Sequence, residues 1–131
     1  MAGSGKIKRF EDLDVWKAAD GLAHEIFSIT QRFPRSYLYD LTTQLRRAAL
    51  SVPANIAEGS ASMHSKELMQ SLNVARRSLA ETRYLLLFAR EEGLIPAGIY
   101  EKLADACASV GRMLTSLLRS IGSRRNVRDH G

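Results

Sequence analysis

The sequence predicts an all-α fold, an antiparallel up-down four-helix bundle. Three observations lead there. Four segments repeat apolar residues at steps of three and four, the period of a helix with one buried face. No segment alternates apolar and polar residues over strand length. The four segments are joined by short loops within 131 residues, a length that suits one domain.

The first segment runs from about Asp12 to Phe33, with Leu13, Trp16, Ala19, Leu22, Ile26, Thr30 and Phe33 on one face. Asp12 is expected as its N-cap, with Asp14 in the first turn. Pro34 ends it, because proline disfavours helical geometry in the residue before it. The second segment spans about Tyr37 to Ala61, with Leu38, Leu41, Leu45, Ala48, Val52 and Ile56 on its apolar face. Pro53 lies inside and frees the carbonyl of Ala49, but the periodicity continues on both sides, so one kinked helix is expected. The third runs from Ser65, a capping residue, to Glu92, and Gly93 stops it. Its inner stripe is Leu68, Leu72, Ala75, Leu79, Thr82 and Leu86. The fourth starts at Pro96 and carries a coiled-coil-like seam of Leu103, Cys107, Val110, Leu114, Leu117 and Ile121. Gly122 is expected to end it.

These elements divide the chain into a basic N-terminal tail at 1–9, the bundle at 10–121 and a basic C-terminal tail at 122–131. The net charge is +5 and the pI about 9.7, yet residues 10–121 hold equal numbers of acidic and basic side chains. Within that body the stretch 10–33 is acidic and 34–121 basic. Such a split aligns helices or subunits, or leaves a basic face.

Tyr84-Leu85-Leu86-Leu87-Phe88 covers most of the circumference of the third helix. That pattern fits a helix central to a wide core, or a subunit interface, and the second favours a homo-oligomer. On the second helix Gln44, Arg47, Ser51, Asn55 and Glu58 form a polar stripe beside the apolar face. Such groups need partners, and Arg77, Ser78 and Glu81 on the third helix are within reach. An Asn55–Ser78 contact, an Arg47–Glu81 pair and a side-chain donor to the carbonyl of Ala49 are the expectations. A network that fixes register is favoured over a ligand pocket or an acid–base site.

The segment QLRRAALSVPANIAEGSA at 44–61 closely resembles the signature of bacterial four-helix-bundle proteins encoded in intervening sequences of large-subunit ribosomal RNA genes, many labelled ribosomal-protein-like. FEDLDVWKAA at 10–19, FP at 33–34 and VARRSLAETRYLL at 74–86 match in the same order. The chain is also similar to accessory proteins of diversity-generating retroelements. The resemblance implies an up-down bundle assembling as a homopentamer, with no enzymatic activity. It implies a structural role for Gln44, Arg46, Arg47, Ser51, Pro53, Asn55, Glu58, Ser78 and Glu81. The family usually has glycine before the serine of the third helix, where this chain has Arg77. Either a close helix approach is relaxed there, or Arg77 points outward.

Nucleic-acid contact is expected through Arg76, Arg77, Arg83 and Arg90. Arg76, Arg83 and Arg90 recur every seven residues on one face, and guanidinium groups pair well with phosphate. The partners expected are therefore further copies of the chain, RNA or DNA, and a polymerase or the ribosome. The alternative is a protein adaptor or scaffold without affinity for nucleic acid. No catalytic residue, cofactor or metal site is expected. GSGK at 3–6 lacks the remainder of a phosphate-binding loop, and His24-Glu25 lacks a second histidine at Ser28. No apolar run reaches a membrane span and the first residues lack a secretory core, so a cytoplasmic location is expected.

Overall fold

A computed structural model describes residues 9–130, with side chains described to Arg124. Four helices form the body: α1 (Asp14–Thr30), α2 (Thr43–Ser60), α3 (Ser65–Glu91) and α4 (Ala97–His130). The described residues contain no strand. Each helix packs on the next, and α1 closes the ring against α4. All neighbours are antiparallel. One core runs through the bundle, with Ile26, Leu45, Ile56, Leu72, Leu86, Leu103, Cys107 and Leu114 almost fully buried.

The helix ends depart from expectation in instructive ways. Asp12 does not cap α1. It lies in a 3-10 turn, Phe10–Asp12, and Leu13 takes the N-cap position without a side-chain bond. The turn is held down by Phe10, whose ring meets Trp16 edge-on at 5.0 Å. At its other end α1 tightens into Pro34 through bonds from Gln31, Arg32 and Phe33 to the carbonyls three residues back.

α2 begins later than the periodicity predicts. A 3-10 turn, Arg35–Tyr37, and a π-helical turn, Leu38–Thr42, precede it. The wider π turn shifts the register, so Leu41 is buried, Leu38 only half-buried, and Tyr39 86% exposed. Thr43 helps to hold it, donating its hydroxyl to the Leu38 carbonyl. Through Pro53, by contrast, α2 continues as one helix, and the proline is buried.

Ser65 does not cap α3. Ser62 stabilises that end from outside, accepting from the His64 amide at 3.1 Å and donating to Glu67 at 2.6 Å. Gly93 ends α3 as predicted, with φ +78°, its amide bonded to Arg90 and that of Leu94 to Ala89. Gly122 does not end α4, which runs on to His130. A lone glycine costs a helix about 1 kcal/mol, too little to stop one on its own. In the same helix Leu118 takes the buried position expected of Leu117, which is half-buried.

Close approach of α2 and α3 depends on Gly59. A Cβ there would lie 2.8 Å from the Cβ of Ser71 and 3.1 Å from Leu68 Cδ1. The Ser71 atom is fixed to the backbone, so the helices themselves must part. Gly59→Ala is therefore expected to destabilise the protein by about 1–2 kcal/mol in urea unfolding, although alanine is the better helix former.

Candidate nucleic-acid interface

The polar residues of α2 do two separate jobs. Arg46, half-buried, ties α2 to the end of α1. Its Nε donates to Thr30 Oγ1 at 2.7 Å, its Nη2 to the Phe27 carbonyl at 3.3 Å, and its guanidinium lies 5.0 Å from the Phe27 ring centroid. A cation at a helix C-terminus also meets the favourable end of the dipole. On the opposite side of α2, Ser51 joins α3. Its Oγ accepts from Asn55 at 3.0 Å and from Ser78 at 2.9 Å, while Asn55 also donates to the Ser51 carbonyl at 2.8 Å.

Three expectations change accordingly. Asn55 and Ser78 do not bond each other; they meet at Ser51. Arg47 and Glu81 form no ion pair, and both are exposed, as are Gln44 and Glu58. They lie at the rim of the α2–α3 seam, 20–60° round their helices from Ser51 and Ser78, and reach solvent. The Asn55 amide goes to Ser51, and no side chain among the described residues donates to the carbonyl of Ala49.

The basic surface lies elsewhere, between α3 and α4. An open groove of about 610 Å³ is lined by Arg76 and Arg83 from α3, and by Arg112 and Arg119 from α4. Both pairs are seven residues apart, so each pair lies on one face of its helix. Packing of Gly111 beside Leu79, and of Arg90 over the Tyr100 ring, fixes the antiparallel register. In that register Arg119, Arg76, Arg112 and Arg83 follow one another, alternating between helices, over about 18 Å. No acidic residue lines the groove, and Thr115 and Ser116 add hydroxyls.

Of the four arginines expected at the interface, the structure brings Arg76 and Arg83 together. Arg77 is about 100° away round α3, exposed on the outer face and absent from the groove. Arg90 lies beyond the groove's end, stacked on Tyr100 at 5.0 Å. Sequence reasoning missed Arg112 and Arg119. Their heptad spacing was visible, but only the register of α3 against α4 shows that they face Arg76 and Arg83. Lys6 and Lys8 lie outside the described residues, whereas Arg9 pairs with Glu11 at 2.8 Å.

Cys107 lies at the groove's floor, fully buried. Burial pushes its thiol up to about 11 from the ordinary 9.0, opposed by the nearby Arg83 charge. The folded state thus holds this proton more tightly than the unfolded state. The resulting stability is complete below pH 9 and is lost between pH 9 and about 11. Over that window wild type is expected to lose more stability than Cys107→Ala, measured by urea unfolding at each pH. Among the described residues no cluster of His, Cys, Asp and Glu is arranged to hold a metal ion.

A family described as 23S rRNA-intervening sequence protein matches residues 11–116. No curated protein matches the chain. Among solved structures, a protein of unknown function from the S23 ribosomal protein family of Bacteroides thetaiotaomicron is similar, with 21% identity and a TM-score of 0.75. The alignment covers 80% of this chain and 95% of that one. At that identity the likeness establishes the shared fold.

Proposed function

Because the chain belongs to the 23S rRNA-intervening sequence protein family, we propose that it is a non-enzymatic RNA-binding protein whose α3–α4 groove receives the phosphate backbone. The observation that carries this reading is the alternation of Arg119, Arg76, Arg112 and Arg83 along one groove without an acidic residue in its lining. Guanidinium groups donate to phosphate in pairs, and a run from two helices follows a strand better than one helix face does. Contacts of this kind position the backbone and carry little base specificity.

The protein works as a homo-oligomer, a pentamer, in the cytoplasm. Leu50 is 52% exposed on the outer face of α2, Phe88 is exposed on α3, and Tyr39 is exposed just before α2. These apolar groups suit contact with further copies. No helix among the described residues is long and apolar enough to cross a membrane.

The test is binding of the full chain to fluorescent RNA at about 0.15 M salt, with light scattering for the assembly's mass. Salt-sensitive binding by an assembly of several chains is expected. A chain that binds no RNA even at 50 mM salt acts instead as a protein adaptor, and the groove reading is then wrong.

A further inference from the structure

The arginine groove does not stop at Arg83. That residue also lines a second cavity, of about 310 Å³, together with Ala80, Tyr84, Leu87, Tyr100 and Ala104. Ala80 and Ala104 contribute only methyl groups and so leave room there, and Tyr84 and Tyr100 bring aromatic side chains from each helix. Tyr84 is 59% exposed, and its ring lies 6.4 Å from that of Phe88. Tyr100 is half-buried, and the Arg90 guanidinium lies 5.0 Å from its ring centroid. The chemistry therefore changes along one continuous groove, from four guanidinium groups to two aromatic rings, with Arg83 at the change.

We infer that the nucleic acid held here is single-stranded, and that one base enters the second cavity against Tyr84 and Tyr100 while Arg83 holds the adjoining phosphate. This deepens the reading of the groove as the RNA site and rests on it. A duplex keeps its bases stacked inside and offers no free base face to an aromatic pocket, whereas a single strand does. The volume agrees. It is at the small end of ligand cavities, roughly 300–1,000 Å³, and suits one planar ring system. Stacking on an aromatic side chain serves any base, so little sequence preference is expected.

The experiment is fluorescence anisotropy with three labelled 12-nucleotide probes: an unstructured RNA strand, its blunt duplex, and the same strand made of abasic residues. The proteins are the wild-type full chain, Tyr84→Ala, Tyr84→Trp and Arg83→Gln. Tyr84→Ala is expected to weaken single-strand binding about 5- to 100-fold, with the tryptophan variant restoring it. The duplex and the abasic strand are expected to bind wild type and Tyr84→Ala equally, while Arg83→Gln weakens all three. Unchanged single-strand binding by Tyr84→Ala, with a loss in Arg83→Gln, overturns the base pocket and leaves the phosphate groove standing. Equal loss for strand and duplex in Tyr84→Ala overturns it too. No binding of any probe by wild type overturns both readings.

Discussion

Reversing two charges in the groove, Arg83→Glu with Arg112→Glu, is expected to lower RNA affinity at least 100-fold at about 0.15 M salt. Hydrogen bonds to charged groups are worth roughly 1.5–3 kcal/mol each, so losing two accounts for about that factor before the new repulsion is counted. Both arginines are exposed, and neither enters an ion pair within the described residues. The fold should therefore survive, with a melting temperature within a few degrees of wild type. Arg77→Glu is the matched control. It changes the net charge on the same helix but lies outside the groove, and it should weaken binding only a few-fold. Equal losses from Arg77→Glu and from either groove substitution would mean that the protein's overall charge attracts RNA and the groove does not.

The second large effect concerns the fold. Leu45 is 0% exposed and lies in the core that α2 shares with α1 and α3. Leu45→Ala should cost about 2–5 kcal/mol, the lost transfer energy plus the cavity left behind. Urea unfolding would show this as a lower midpoint with an unchanged slope. A cost below 1 kcal/mol would indicate that the core collapses around the missing side chain. The bundle would then be packed far more loosely than its buried residues suggest.

The contrast between these sites shows what periodicity can and cannot reveal. Ala19, Leu22, Leu45, Val52, Leu72, Leu86, Leu103 and Leu114 were legible, because burial on one helix face leaves a step of three or four in the sequence. Helix ends were less so. Asp12 and Ser65 have the right chemistry for caps. The choice between neighbouring candidates is made by Phe10 packing on Trp16 and by Ser62 reaching Glu67. The π turn before α2 left no signal, since one residue of slippage still gives apolar residues at plausible spacings.

The arginine groove was legible by half. Arg76 and Arg83 follow from the heptad on α3, but Arg112 and Arg119 become partners only through the register of a second helix. The polar stripe misled for a related reason. Ser51 and Asn55 point into the α2–α3 seam, whereas Arg47 and Glu58 lie within 20–40° of Ser51 round the same helix and reach solvent. Angular proximity on a helix does not distinguish a seam from its rim.

Salt titration of RNA affinity tests the central claim most directly. Each phosphate neutralised on a single strand contributes about −0.7 to the slope of log K against log salt. Four groove arginines predict a slope near −3 for wild type. Replacing any one of Arg76, Arg83, Arg112 or Arg119 with glutamine should reduce its magnitude by about 0.7, with Arg77→Gln unchanged. A wild-type slope near zero, or one that falls equally for Arg77→Gln, would contradict the assignment of the groove.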